Sequence, residues 1–263
     1  MKYVLVTGAS GGMGKAVTAL LAQKGYFVFA LDRVRPAEGE RIVPIEADVT
    51  DEKSVQMAQE EVLRITPRLD AVLHFAGIYV LDSLVEMSED KFCRAFEVNV
   101  FGVYRINRIF LPLLGQGSRI LITTSELAPL APLPFTGLYA VTKSALDKYA
   151  YSLRMEVGLL GISVAVLRPG AVKTDMLGVS TRELDRFVDG TQLYSCNARR
   201  FKCVVDRVEA RCVSPERVAK KAERILSARR MRYVYKINRN PLLLFLNALP
   251  ARWQTGIIQR ILK

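Results

Sequence analysis

Histidine and tryptophan occur once each in these 263 residues, and cysteine four times. With a single imidazole, a histidine metal site or a Ser-His-Asp triad would have to be built around His74, and a hydrogen-bonded structural imidazole is the expectation there. Cys93, Cys196, Cys203 and Cys212 form no C-x-x-C pair and no ligand cluster. That speaks against zinc and against a disulfide framework, so no metal is expected. An apolar strand already begins at Tyr3; no signal peptide is expected, and reduced thiols in a cytoplasmic compartment are. Internal repeats, low-complexity tracts and linkers are lacking, which predicts one domain over 1–263. No apolar run reaches the roughly 20 residues needed to span a bilayer.

What the chain does have is a Tyr-x-x-x-Lys pair, Tyr139 and Lys143, one helical turn apart, so that phenol and ammonium share a face. A phenol is a poor base at neutral pH, and a cation beside it favours the phenolate. Such a pair can move the proton of an alcohol while another group takes the hydride. Alone the spacing says little. Its context is a glycine-rich turn starting at Gly8, and a serine, Ser125, fourteen residues before the tyrosine.

The strand Tyr3-Val-Leu-Val6 feeds Thr7-Gly-Ala-Ser-Gly-Gly-Met-Gly14, and a helical pattern with Met13, Val17, Leu20 and Leu21 apolar follows. Glycines let the backbone bend sharply and approach a ligand, and free amides at the helix start then face a pyrophosphate. This is the first half of a mononucleotide-binding βαβ unit. The spacing is T-G-x-x-x-G-x-G on Gly8, Gly12 and Gly14, not the general G-x-G-x-x-G. A second strand, Tyr26–Leu31, ends on Asp32, where an acid would hold the adenosine ribose hydroxyls and repel a 2′-phosphate. Arg33 next to it could instead hold that phosphate; NAD is favoured and NADP stays open. Asp48 and Val49 sit at a further strand end, where they could flank the adenine. Asp48 could equally cap a helix starting near Glu52.

Together these motifs resemble the short-chain dehydrogenase/reductase family of the classical type, over about residues 1–175. The resemblance implies a single-domain Rossmann fold and a catalytic set of Asn99, Ser125, Tyr139 and Lys143. In it Ser125 orients the substrate oxygen, and Tyr139 is general base in oxidation and general acid in reduction. Lys143 depresses the tyrosine pKa and holds the nicotinamide ribose, while Asn99 supports Lys143 through water. The same resemblance assigns cofactor contacts to Ser10, Met13, Ala76, Gly77, Pro169, Gly170, Val172 and Thr174 besides Gly8, Gly12, Gly14, Asp32, Arg33, Asp48, Val49, Tyr139 and Lys143. It also implies a homodimer or homotetramer, with Phe92, Phe96, Val100 and Tyr104 in the contact region, although such a stripe at turn spacing is more often plain core and the two uses are compatible. The arrangement is similar to the hydroxysteroid and retinol dehydrogenase branch, including Leu133-Pro-Phe135 ahead of Tyr139.

Three departures stand out. The family's Asn-Asn-Ala-Gly segment appears as His74-Phe-Ala-Gly77. The interval from Ser125 to Tyr139 is one residue long by the family's habit and carries Pro129, Pro132 and Pro134, which makes Thr124 a fallback for the hydroxyl. The Gly11-Gly12 pair also fits an epimerase-like spacing, although 263 residues leave little room for that branch's larger substrate domain.

Apolar runs near 3–6, 26–31, 42–46, 70–75, 118–124, 162–168 and 232–236 alternate with helical stretches. That pattern predicts an α/β fold, a doubly wound parallel sheet of about seven strands with helices on both faces. Residues 175–214 occupy the place of a substrate loop or lid, rich in Met176, Leu177, Leu184, Phe187, Val188, Leu193, Tyr194, Phe201 and Val204. Its apolar character suits a bulky apolar alcohol or ketone. The net charge is +12, yet residues 1–198 hold 21 Lys/Arg against 22 Asp/Glu, and residues 199–263 hold 17 against 4. The segment 237–263 combines the run Pro241–Pro250 with Trp253, and with Ile257, Ile258, Ile261 and Leu262 on one helical face. Gln254, Gln259, Arg260 and Lys263 lie opposite. It either packs on the core or rests at an anionic membrane surface. No nucleic-acid motif is present, and none is expected as a partner. A rival to the enzyme reading is a silent dinucleotide-binding regulator or membrane-surface interaction protein of the same fold; an epimerase or dehydratase using transient hydride transfer is a third.

Overall fold

The structure is a computed structural model that describes residues 1–209 and 211–263; the side chains of 175–181 and 207–210 lie outside the description. Seven strands, β1 Lys2–Thr7, β2 Tyr26–Asp32, β3 Ile42–Glu46, β4 Leu69–His74, β5 Leu114–Thr123, β6 Ser163–Pro169 and β7 Val234–Ile237, form one sheet in the order 3-2-1-4-5-6-7. Every pairing is parallel. The strands are apolar at nearly every position because both faces are covered. Leu5, Phe29, Leu31, Val72 and Ile120 point to one face, under α2 (Glu52–Leu63), α4 (Gly102–Phe110) and α5 (Gly137–Gly158). Their neighbours Val4, Val6, Val28, Ala30 and Leu121 point to the other, under α1 (Gly12–Gln23) and α8 (Pro215–Ser227). All seven expected strands are present, with ends moved by a few residues. The strand order reverses between β1 and β4, and such a switch point opens a crevice at the carboxyl ends of the strands.

Local signals explain most element ends. α3 (Glu89–Phe96) starts from Ser88, whose hydroxyl accepts the Lys91 N–H. It runs through a five-residue π-helical turn, Glu97–Phe101, into α4. α2 corrects one expectation: its cap is Asp51, which accepts the Lys53 N–H at 3.0 Å. Asp48 instead takes the Thr50 N–H at 2.8 Å and the Thr50 hydroxyl at 2.7 Å. Four residues before the helix, it is too early to cap it.

Residues 175–214 are not a loop. They form α6 (Asp175–Gly190) and α7 (Ser195–Glu209), because the apolar residues Leu184, Phe187 and Val188, then Phe201 and Val205, recur at helical spacing. The side chains of Met176 and Leu177 lie outside those described. The helices close over Phe135, whose ring sits 4.6 Å from Phe187, 5.4 Å from Tyr194 and 5.3 Å from Phe201. Phe135 adopts φ +64°, which bulky side chains rarely take; the aromatic cluster holds it there. The proline-rich interval before Tyr139 therefore anchors these helices.

The tail also differs from expectation. It forms two helices, α9 (Pro241–Ala248) and α10 (Ala251–Leu262), and its apolar face is divided. Ile258 and Leu262 pack against the Phe135 cluster, while Ile257 and Ile261 are exposed. Outward apolar side chains also occur on α4 and α5, at Tyr104, Val141, Tyr151 and Met155. Among the described residues no helix is long and apolar enough to cross a membrane. Among them, too, no group of three His, Cys, Asp or Glu could hold a metal ion.

His74, at the end of β4, is buried and hydrogen-bonded through Nε2 to Asn107 at 2.9 Å. Asn107 in turn donates to the Tyr149 hydroxyl at 3.2 Å. Burial pulls the imidazole down to about 4, with the Asn107 bond opposing. Between its ordinary pKa of 6.5 and about 4, the unfolded chain therefore binds a proton that the folded chain does not. Stability present above that window is lost as pH falls through it, by roughly 3 kcal/mol. Urea titrations across the window should show this slope for the wild type and a flatter one for His74→Asn.

Candidate active site

Two clefts open at the carboxyl ends of the strands and share Met13, Phe75, Gly77, Ile78, Tyr79 and Thr174, so they form one crevice. The larger, about 530 Å³, is lined by Gly8, Gly12, Met13, Gly14, Asp32, Arg33, Asp48, Val49, Ala76, Gly77 and Thr174. The smaller, about 230 Å³, is lined by Ser125, Tyr139, Lys143, Pro169, Gly170 and Val172 along with apolar side chains. Two expected residues are engaged elsewhere. The Ser10 hydroxyl donates to the Val34 carbonyl at 2.6 Å. Asn99, in the π-helical turn, is fully buried: its Oδ1 accepts the Ile78 N–H at 2.8 Å, and its Nδ2 donates to the Ile78 carbonyl and to Thr142.

The glycine turn is built for close approach. Gly8 has φ +70°, and a Cβ there would lie 2.5 Å from the Ala76 nitrogen; one on Gly14 would lie 2.0 Å from the Gly8 carbonyl oxygen. The turn closes only without side chains. α1 then starts from Gly11 with no side-chain cap and no acid in its first turn, which leaves its orphan N–H groups to an anion. Across the larger cleft the Asp32 carboxylate is fixed by N–H groups of Ser10 at 3.0 Å and Val34 at 3.2 Å. Bare amides at one point and a positioned carboxylate at another match the pyrophosphate and a ribose diol of a dinucleotide.

At the other end, α5 carries Tyr139 and Lys143 on one face, and Ser125 follows β5. The Tyr139 phenol is hydrogen-bonded to Ser125, whose oxygen also accepts the Leu127 N–H at 3.1 Å. Thr124 turns away and donates to Asp147 at 3.4 Å, so the hydroxyl that meets the phenol is Ser125. Lys143 Nζ donates to the Thr123 carbonyl at 3.3 Å and sits 5.7 Å from the Tyr139 ring centroid. Burial pushes the phenol up to about 12, with the Ser125 bond pulling the other way. Burial also pulls the Lys143 ammonium down to about 8. Burial thus acts against the expected depression of the phenol by Lys143, whose ammonium lies over the ring face, and the phenol is protonated at neutral pH.

Three features went unread in the sequence. Tyr79 packs its ring 4.8 Å from that of Tyr139; an aromatic two residues beyond Gly77 was the available signal. Glu126, next to Ser125, has its carboxyl raised by burial and accepts the Asn240 N–H at 2.7 Å, which ties the head of α9 to the crevice. Lys91 bridges Asp82 at 2.6 Å and Glu183 of α6 at 3.2 Å, and Glu86 accepts from Thr191 and from the Gln192 N–H. These contacts latch α6 and its exit across the crevice. They join residues about 100 positions apart, and no local pattern announces them.

The model of one protein family, short chain dehydrogenase, matches residues 2–185. The chain is 34% identical over 191 residues to estradiol 17-beta-dehydrogenase 2 of Mus musculus, covering 67% of this chain and 50% of that one. It is thus similar to about half the length of that relative. To versicolorin reductase of Emericella nidulans it is 31% identical over 194 residues, covering 69% of this chain and 73% of the relative. Among solved structures it is similar to a short chain dehydrogenase from Burkholderia cenocepacia in complex with NADP, at 26% identity and a TM-score of 0.70 over 90% of this chain and 96% of that one. With the glycine turn, the switch-point crevice and the Ser125, Tyr139 and Lys143 cluster in place, the chain belongs to the short-chain dehydrogenase family of NAD(P)-dependent oxidoreductases.

Proposed function

We propose that the protein interconverts an apolar alcohol and its carbonyl compound, with Tyr139 as the proton-transfer group. The observation that carries this reading is the meeting of Ser125, Tyr139 and Lys143 at one end of a crevice whose other end offers uncapped amides and Asp32. The bound nicotinamide supplies or accepts the hydride. Ser125 orients the substrate oxygen and donates to the charge that develops on it, and Tyr139 gives its proton to that oxygen in reduction and takes it back in oxidation. Lys143, charged at neutral pH, favours the phenolate that reduction leaves behind. Asn99 is a positioning residue: it fixes the Ile78 backbone beside Gly77 and braces Thr142, next to Lys143 on α5.

Leu127, Leu133, Val172, Phe201, Val204 and Leu243 line the smaller cleft, which favours a bulky apolar substrate over a sugar, with α6 and α7 as its lid. Relatives named for estradiol and versicolorin fit that reading. NAD is the favoured cofactor because Asp32 is held toward the larger cleft, although exposed Arg33 shares it. Outward apolar residues on α4 and α5 support a homo-oligomer.

Turnover of a panel of apolar alcohols and ketones, followed by nicotinamide absorbance with both NAD(H) and NADP(H), tests the assignment. Failure of every carbonyl and alcohol with either cofactor would move the weight to a silent regulator. Because burial keeps the phenol protonated, reduction should run at a level rate through neutral pH. Oxidation, which needs the deprotonated phenol, should keep rising with pH through the alkaline range, toward the value of about 12 to which burial pushes Tyr139. kcat profiles in both directions check this; an oxidation rate that is flat with pH would count against Tyr139 as the base.

A further inference from the structure

Helices α9 and α10 are a fixed part of the molecule. Leu243 of α9 lines the smaller cleft, and Ile258 and Leu262 of α10 pack with Phe135, Phe187 and Phe201. The Asn247 side chain accepts the Ala131 N–H at 2.8 Å, and the Asn197 amide donates to the Leu262 carbonyl at 2.6 Å. Their outer side is nonetheless apolar: Leu242, Phe245, Trp253, Ile257 and Ile261 are between 38% and 69% exposed. At about 100° per residue, Trp253, Ile257 and Ile261 form a single stripe along α10. The packed stripe of Gln254, Ile258 and Leu262 borders it on one side, and Arg252, Arg260 and Lys263 border it on the other. Among the described residues none of these three cations lies within ion-pair distance of a carboxylate.

We propose that this outer face of α9 and α10 docks flat on an anionic lipid surface. Apolar side chains with a tryptophan among them, edged by unpaired cations, match the boundary between acyl chains and acidic headgroups. The charge of the whole tail agrees: residues 199–263 hold 17 Lys/Arg against 4 Asp/Glu. A second copy of the chain fits the face less well, since a two-fold contact would set the same cations against each other. Docking, not spanning, is the mode, because neither helix is long enough to cross. The placement has a functional corollary that rests on the reading above. With Leu243 in the cleft and Leu242 and Phe245 outside, the thickness of α9 alone separates the substrate cavity from the lipid. An apolar substrate dissolved in the bilayer would enter without passing through bulk water.

Docking itself can be tested without any substrate. Trp253 is the only tryptophan, so its emission reports on the face directly. The full chain is mixed with vesicles of phosphatidylcholine alone or with about 30% phosphatidylserine, and emission and flotation are read at several salt concentrations. The expected result is a blue shift and flotation with the acidic vesicles, fading as salt rises. Phe245→Ser combined with Ile257→Ser, and separately Arg252→Glu combined with Arg260→Glu, should each weaken the partition by about tenfold or more. Thermal melts should stay at the wild-type value, because all four side chains are exposed; if the apolar pair proves misfolded, the charge pair alone decides. The proposal is overturned if wild type neither shifts nor floats, if it binds neutral vesicles equally well, or if correctly folded charge-pair variants bind like wild type. A lipid-independent shift accompanied by a doubled mass would assign the face to a second copy instead.

Discussion

Replacing Tyr139 by phenylalanine is expected to lower kcat by about 10²–10⁴-fold while leaving dinucleotide binding intact. The substitution removes one oxygen and keeps the ring that packs 4.8 Å from Tyr79, so the walls of the crevice stay where they are. What disappears is the proton donor that Ser125 holds in place. Single-turnover rates and a fluorescence titration with the reduced cofactor separate the two effects. Undiminished turnover would remove Tyr139 from the chemistry. Lost cofactor binding with an altered melt would show that the hydroxyl is a structural tie, and the rate effect could then not be assigned to proton transfer.

The second large effect is on stability. Asp147 lies one turn beyond Lys143 on α5, and Arg168 is on β6 just before Pro169 and Gly170. They form a two-point ion pair, with Nε to Oδ1 at 3.0 Å and Nη2 to Oδ2 at 2.6 Å, and both side chains are close to buried. Thr124 donates to the same carboxylate, and the Tyr233 hydroxyl caps the Asp147 carbonyl at 2.9 Å. Arg168→Met leaves the carboxylate enclosed without its cation. Removal of one partner from a buried pair typically costs about 3–5 kcal/mol, on the order of 10 °C in Tm for a chain of this size. The double variant Asp147→Leu with Arg168→Met should recover much of that loss, because the penalty comes from the orphaned charge and not from the absent attraction. Urea or thermal unfolding of the two variants checks both statements. If the double variant is as unstable as the single one, the pair has a packing role that apolar side chains cannot fill.

The sheet was legible because each strand is apolar on both faces and each is bounded by a break: Gly8 after β1, Gly25 before β2, Pro67 before β4. The dinucleotide end of the crevice was equally legible, since Gly8, Gly14 and Asp32 act through backbone shape and strand ends, which are local. Three things were less so. The protonation of Tyr139 depends on burial by elements remote in sequence, and the visible neighbour, Lys143, suggested the opposite. The helicity of 175–214 was obscured by reading its apolar residues as a covering loop, when Leu184, Phe187 and Val188 already had helical spacing. The division of the α10 stripe, with Ile258 inward and Ile257 outward, follows from what α7 presents to it, and a single helix cannot reveal that.

The π-helical turn at Glu97–Phe101 has a consequence for what the gene can tolerate. One residue more than an α-helix would use is housed there, so α3 and α4 differ in rotational phase by about 100°. Loss of any one codon in that stretch would let the helix run on in regular phase. Ile106 and Phe110 would keep their places on the sheet, because only the extra residue is lost, while Asn99 would leave Ile78. Single-residue deletions inside Glu97–Phe101 are therefore expected to spare the fold, whereas deletions in the regular turns of α3 or α4 would rotate everything beyond them by about 100°. A deletion scan read by soluble yield would show this turn as a local maximum, in a segment that hydropathy alone marks as ordinary helix.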